Sequence, residues 1–272
     1  MADKEIIAIP EEAHKRLAHM RGQGKERGLF TSDLSVNEFL LIEQAGFRAA
    51  GMVVGSSIYH IGYQVASWSK NEEMGVLTQA MYHARELAME RMQEEARELG
   101  ADGIIGVRLK VKHMPWNNEL AEFVAIGTAV YHKDGGDKYR APGGLPFTSD
   151  LSGQDFWTLL NAGYRPVGMV MGNCVYHIAH QSFRQWFRSI GRNVEMTNFT
   201  QGLYEAREFA MERMQHEAEV LQAKGIVGVD LHEGTYGWNT NVIEFFVVGT
   251  AIVPISENHS IDKPQLVMSL ND

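Results

Sequence analysis

Apolar residues recur at two different periods along this chain, and the periods alternate in a fixed order. Leu77, Met81, Ala84, Leu87, Ala88, Met92, Ala96 and Leu99 fall at three- and four-residue steps, the stripe of an amphipathic helix that ends at Gly100. Ile105, Val107, Leu109 and Val111 then alternate with Gly106, Arg108 and Lys110, as in a strand buried on one side. A second strand, Glu119–His132, returns after the turn at Pro115–Asn118. Upstream, Gly51–Tyr63 is apolar, β-branched and dotted with glycine, which predicts a strand with a bend or a close backbone contact. It follows a short amphipathic segment, Val36–Ala45, opened by a cap signal in Phe30-Thr31-Ser32-Asp33-Leu34-Ser35. The unit therefore reads strand, helix, strand, strand, with the helix against one face of the sheet.

The same unit occurs twice. Phe30–Ser35 returns as Phe147–Ser152, 117 positions on, and Gly51-Met52-Val53-Val54-Gly55 as Gly168-Met169-Val170-Met171-Gly172. Ala84-Arg85-Glu86 matches Ala206-Arg207-Glu208 at 122 positions, so the second copy carries five extra residues, between Gln181 and Phe199. The later offset holds through Gly127-Thr128-Ala129 and Gly249-Thr250-Ala251. The predicted organisation is an N-terminal helical extension over 1–29, a first module over 30–132, a linker over 133–146, a second module over 147–254 and a tail over 255–272. Pro10-Glu11-Glu12 suits a first helical turn. Gly135, Gly136, Pro142, Gly143 and Gly144 give the linker the composition of a flexible connection. The tail reads as a disordered terminus, with docking on a neighbouring chain as its alternative.

Composition narrows the classes of function. With 272 residues, 44% hydrophobic and 22% charged, the chain can build two modest cores. A formal net charge of −9 opposes nucleic-acid binding, no apolar run is long enough for a membrane span, and no secretory leader precedes the first helix. The single cysteine, Cys174, excludes an internal disulfide and any multi-thiolate metal site within one chain, in keeping with a reducing cytoplasm.

The ordered series Tyr82-His83-Ala84-Arg85, Ala88, Met92, Ala96, Leu99-Gly100-Ala101-Asp102-Gly103-Ile104-Ile105-Gly106-Val107 and Gly127-Thr128-Ala129-Val130 resembles the signature of the YbjQ-like family, which also carries a heavy-metal-binding label. The resemblance covers nearly all of 45–131 and 162–253. It implies an α+β fold of two tandem β-α-β-β modules, similar to dodecin subunits, and assembly into rings of five modules. The second copy departs from it at Leu221-Gln222-Ala223-Lys224, so no role of Asp102 passes to Lys224.

Candidate chemistry is sparse. Gly-x-Ser-x-Gly, Walker, His-Glu-x-x-His and Cys-x-x-Cys motifs are absent, which disfavours an enzyme; an enzyme acting on a small molecule stands as the third reading. Arg85 and Arg207 sit mid-helix among alanines, and Glu122 and Glu244 sit on apolar strands, so an Arg–Glu bridge within each module is expected. Trp116 and Trp238, at strand turns, are candidates for interface packing or ligand stacking. His60 and His177 recur in a Tyr-His-Ile context, with Cys174 near the second. They are the candidate ligands for zinc or copper, although two or three donors do not complete a tetrahedral set. The leading expectation is a cytoplasmic, non-enzymatic homo-oligomeric scaffold or binding protein, pentameric or built in multiples of five and without a cofactor; metal handling is the alternative.

Overall fold

The computed structural model describes residues 9–22, 28–60, 70–114, 117–179, 197–235 and 242–255. In chain order the elements are α1 (Glu11–Arg21), α2 (Val36–Gln44), β1 (Phe47–His60), β2 (Glu72–Glu73), α3 (Gly75–Glu98), β3 (Gly103–Met114), β4 (Asn117–His132), β5 (Phe147–Thr148), α4 (Gly153–Asn161), β6 (Tyr164–His177), α5 (Thr197–Val220), β7 (Gly225–Thr235) and β8 (Val242–Pro254). The fold is α+β, and the two copies repeat one architecture. In each, a long helix of 24 residues lies across an antiparallel sheet, over β1, β4 and β3 in the first copy and over β6, β8 and β7 in the second.

Local chemistry explains these elements. Ser35 caps α2 by accepting from the Glu38 amide while the Glu38 carboxylate accepts from the Ser35 amide, a reciprocal capping box. A hydrogen bond from the Ser35 side chain leads the effects that hold the Glu38 carboxyl below the usual range, and the Ser35 amide adds to it. Gly55 and Gly172 let each helix approach its strand closely: a Cβ there would lie 1.9 Å from the Ala88 carbonyl oxygen and 2.0 Å from that of Ala210. Gly106 and Gly228 take φ of 62° and 66° at matching bulges, where β3 and β7 shift register against their partners.

The sheets exchange edges. Their strand orders are β1-β4-β3-β5 and β2-β6-β8-β7. β2 belongs to the first copy yet pairs with β6, through Glu72–His177 and Glu73–Tyr176. β5 opens the second copy yet pairs in parallel with β3, through Gly103–Phe147 and Ile104–Thr148. Backbone bonds from Gly106 N to Leu151 O and from Val107 N to Ser149 O extend this contact past the bulge.

The connection over 133–146 differs from the expected flexible linker, because apolar burial and an ion pair tie it down. Tyr139 meets the Phe47 ring edge-on at 4.9 Å, and Arg140 Nε donates to Asp102 Oδ1 over 3.0 Å. Phe47, Phe147 and Phe156 form the centre of this small core beneath α2 and α4. The tail after Ile255 lies outside the described residues, as does its expected docking.

Candidate interface between the two modules

Strand alternation decides what each candidate residue can meet. On β8, Phe245 and Val247 point toward α5, whereas Glu244, Phe246 and Val248 point the other way, toward the first copy. Met169, Met171, Phe246 and Val248 thereby pack with Tyr82 of α3 and Leu109 of β3. Within this apolar contact Arg85 reaches Glu244: Nη1 donates to Oε1 over 2.7 Å and Nη2 to Oε2 over 3.1 Å. Arg85 is 3% exposed and stacks over the Phe246 ring, with its guanidinium carbon 4.1 Å from the ring centroid.

The expected bridge within each module is therefore replaced by one bridge between modules. Glu122 occupies on β4 the place that Glu244 has on β8, but it faces away from α3 and is half-buried, so Arg85 cannot meet it through its own sheet. Arg207, the counterpart of Arg85, lies 3.6 Å from Glu233 on a partly exposed surface and packs over Phe245.

Further polar contacts surround the Arg85–Glu244 pair, and sequence reasoning did not single them out. The Tyr82 hydroxyl donates to Glu217 Oε1, while the Met171 amide donates to Glu217 Oε2. Burial, the largest effect, pushes the Glu217 carboxyl above the usual range, and burial together with Glu217 pushes up the Tyr82 hydroxyl. Asn173 Nδ2 donates to the Thr78 carbonyl, the Val175 amide to Thr78 Oγ1, and Met74 N to the Val175 carbonyl. Arg213 ties Glu73 at 2.8 Å. The signal available in sequence was the repetition of Tyr82 and Thr78 as Tyr204 and Thr200, which marks a shared position without its partner. A cleft of about 750 Å³ opens beside this contact, lined by Glu73, Gln79, Tyr82, Asn173, Arg213 and Glu217 among others.

The metal candidates do not converge. Cys174 and His177 are three residues apart on β6 and so point to opposite faces. Cys174 lies in the core under α5, where burial, the leading effect, pushes its thiol up to about 12, away from the thiolate a metal requires. His177 is buried on the inter-module face, with Nδ1 3.4 Å from the Lys70 carbonyl, and His60 is exposed at the end of β1. Among the described residues, no three His, Cys, Asp or Glu side chains group to hold a metal ion. Trp116 and Trp238 lie outside the described residues. No described helix is long and apolar enough to cross a membrane.

The Thr-Ser-Asp motif at the start of each copy clips it to its own closing strand. Ser149 and Asp150 hydrogen-bond Thr250, and the Met169 amide donates to Thr148; Ser32, Asp33, Thr128, Met52 and Thr31 repeat the arrangement.

Comparison with known proteins agrees with this duplicated architecture. The chain is 48% identical over 259 residues to an encapsulin nanocompartment protein of Mycobacterium tuberculosis, covering 95% of this chain and 96% of that one. Single-copy relatives also match. A UPF0145 protein of Clostridium perfringens is 42% identical over 89 residues, covering 31% of this chain and 82% of its own length. One of Thermotoga maritima is 36% identical over 85 residues, covering 29% and 78%. The YbjQ family model, described as "Putative heavy-metal-binding", matches residues 43–133 and again 162–254, one match for each repeat of helix and sheet. With both repeats matched, the chain belongs to the YbjQ family and carries two tandem copies of its module.

Proposed function

We propose that this protein is a non-enzymatic, self-associating building block that serves as a scaffold or binding component of a protein nanocompartment. The observation that carries this reading is the buried Arg85–Glu244 pair. The charged side chains best placed for chemistry are spent on fixing one module against another. An arginine held bidentately by a carboxylate in an apolar contact sets orientation well and leaves little capacity for a ligand. The encapsulin nanocompartment protein of M. tuberculosis, alike along nearly the whole chain, supports a compartment setting and a shell protein as partner.

The finer reading is a closed ring of modules, in chain counts of five or a multiple of five, within the cytoplasm. Edge exchange between the two copies supports it, since cyclic closure removes unpaired sheet edges. Negative-stain electron microscopy of the purified protein, with class averages analysed for symmetry, tests this reading. Particles with five-fold averages are expected. Particles without cyclic symmetry would reject the ring.

A further inference from the structure

One carboxylate is held differently in the two copies. Glu95 and Glu217 are equivalent, and each accepts from the same point of its first strand: from Val54 N over 2.9 Å and from Met171 N over 2.8 Å. Glu95 also meets a basic group. Arg16 of α1 donates to it from Nη2 over 2.6 Å, while Nη1 donates to the Met52 carbonyl over 3.0 Å. The second copy has no counterpart of α1, because the connection over 133–146 packs against Phe47 instead. Glu217 takes the Tyr82 hydroxyl, and among the described residues no lysine or arginine pairs with it. Its raised carboxyl is that of an acid desolvated more than it is compensated.

Beside Glu217 lies the cleft of about 750 Å³, a volume suited to a small organic molecule. It contains an unused acceptor. Asn173 is 1% exposed, and its Nδ2 donates to the Thr78 carbonyl over 3.0 Å. Since a carbonyl only accepts, the amide nitrogen has to face Thr78, and Oδ1 is turned away from it, into the cleft that Asn173 lines. Among the described residues that oxygen has no hydrogen-bond partner. A buried acceptor in this state marks the place of a donor that the chain does not supply.

The charge of the cleft selects the kind of donor. Glu73, Glu212, Glu217 and Glu219 line it against Arg213 and His216. Arg213 is committed, donating to Glu73 Oε2 over 2.9 Å and to the Asn173 carbonyl over 2.6 Å, and His216 lies 3.9 Å from Glu219. A cation is therefore favoured and an anion opposed. The acids stand in a row rather than around a point. Glu212 and Glu219 are two turns apart on α5, about 10 Å. Among the described residues no three acids or histidines group to hold a metal ion.

We propose that this cleft binds a linear aliphatic polyamine, with one ammonium at Glu217, where the first copy places the Arg16 guanidinium, and the next at Asn173 Oδ1. An ammonium has three donors and no acceptor, which suits both oxygens. Asn173 follows two residues after Met171, whose amide holds Glu217, so about 7 Å of β6 separates the two positions, a span that one polyamine chain bridges. Glu212 and Glu219, both exposed, attract the far end of the chain, and the half-buried Tyr82 gives its methylenes apolar surface. Binding is a property of the single chain and does not depend on self-association.

The test is calorimetric titration of spermidine into the full chain at physiological ionic strength. One molecule per chain is expected to bind. Glu217→Gln is expected to weaken binding at least about tenfold, as for loss of a charge-assisted contact. Asn173→Ser, which installs the side chain that Ser56 has at the equivalent place of the first copy, is expected to weaken it about three- to tenfold. Glu208→Gln, at an exposed acid of α5 outside the cleft, should leave it unchanged. Circular dichroism certifies the fold of each variant, and Asn173→Ser decides the matter if Glu217→Gln does not fold. Absence of saturable binding overturns the proposal. Equal weakening by Glu208→Gln reduces it to diffuse attraction by net charge, and displacement of spermidine by equimolar magnesium replaces the polyamine with a metal ion; either result overturns it. None of these outcomes touches the scaffold reading, which is judged by molar mass.

Discussion

Arg85 and Arg207 occupy the same place in two copies of one module, yet their surroundings differ. Arg85 is buried between modules and gripped by both oxygens of Glu244. Arg207 lies in a half-exposed position with Glu233 at 3.6 Å. Closely similar local sequence thus yields a desolvated interface pair at one site and an open surface at the other. What distinguishes them is whether another module is present to cover the site. Side chains in a repeat protein have to be read against the neighbour that each repeat meets.

The largest expected difference comes from removing each arginine. Arg85→Ala strands Glu244 in an apolar contact and should cost about 3–5 kcal/mol of stability in chemical denaturation. Arg207→Ala, measured with dissociated chains, should cost under about 1 kcal/mol, as for an exposed pair. Replacing Arg85 and Glu244 together with Met and Leu should restore much of the loss, because no buried charge is then left without its partner. A double variant no better than Arg85→Ala would argue against uncompensated charge as the cause.

A smaller effect is expected at the Thr-Ser-Asp clips, whose surroundings also differ between copies. Asp150 is held by Thr250, and burial leads the effects that raise its carboxyl above the ordinary value. Asp33, its counterpart, hydrogen-bonds Thr128 and also pairs with the exposed Arg108. Thr250→Val should therefore destabilise by about 1–3 kcal/mol, as expected when a buried group loses its hydrogen bond, and by more than Thr128→Val. Equal thermal shifts for the two variants would erase that distinction.

The pH dependence sharpens the comparison further. Glu217 has its carboxyl raised on folding, so its favourable contribution is complete below the ordinary value of 4.5 and is lost as pH rises through the elevated folded value. The stability of wild type minus that of Glu217→Gln should fall with increasing pH across this window. A difference that stays flat would show that Glu217 is not desolvated at the module contact. The smallest response is expected from metal. Titration with zinc or copper should give no stoichiometric sub-micromolar site, since Cys174 and His177 face opposite sides of β6 and His60 lies on another sheet. A tight site abolished by His60→Ala or His177→Ala would restore the metal reading.

Periodicity and self-similarity made the module legible. The stripe from Leu77 to Leu99, the alternation from Ile105 to Val111 and the repeated Phe-Thr-Ser-Asp-Leu-Ser lead directly to α3, β3 and the copy number. That Arg85 and Glu244 would each need a partner was also legible, because charge among apolar neighbours needs one. Their pairing was not, since each arginine has a glutamate in either copy and the spacing within a copy carries no information about which one it meets. The linker was misleading for a related reason: its glycines suggest freedom, and Tyr139 packing on Phe47 emerges only once the chain is folded. Edge exchange was hidden as well, because β2 and β5 are two residues each and too short for a period to register.

The central claim is that the buried contact between the two modules belongs to a self-associating building block. Its most direct test is the molar mass of wild-type protein at micromolar concentration, measured by light scattering coupled to size exclusion. The account predicts a single species containing several chains, with five or a multiple of five expected for a closed ring. A persistent species of 30.5 kDa, the mass of one chain, would contradict it.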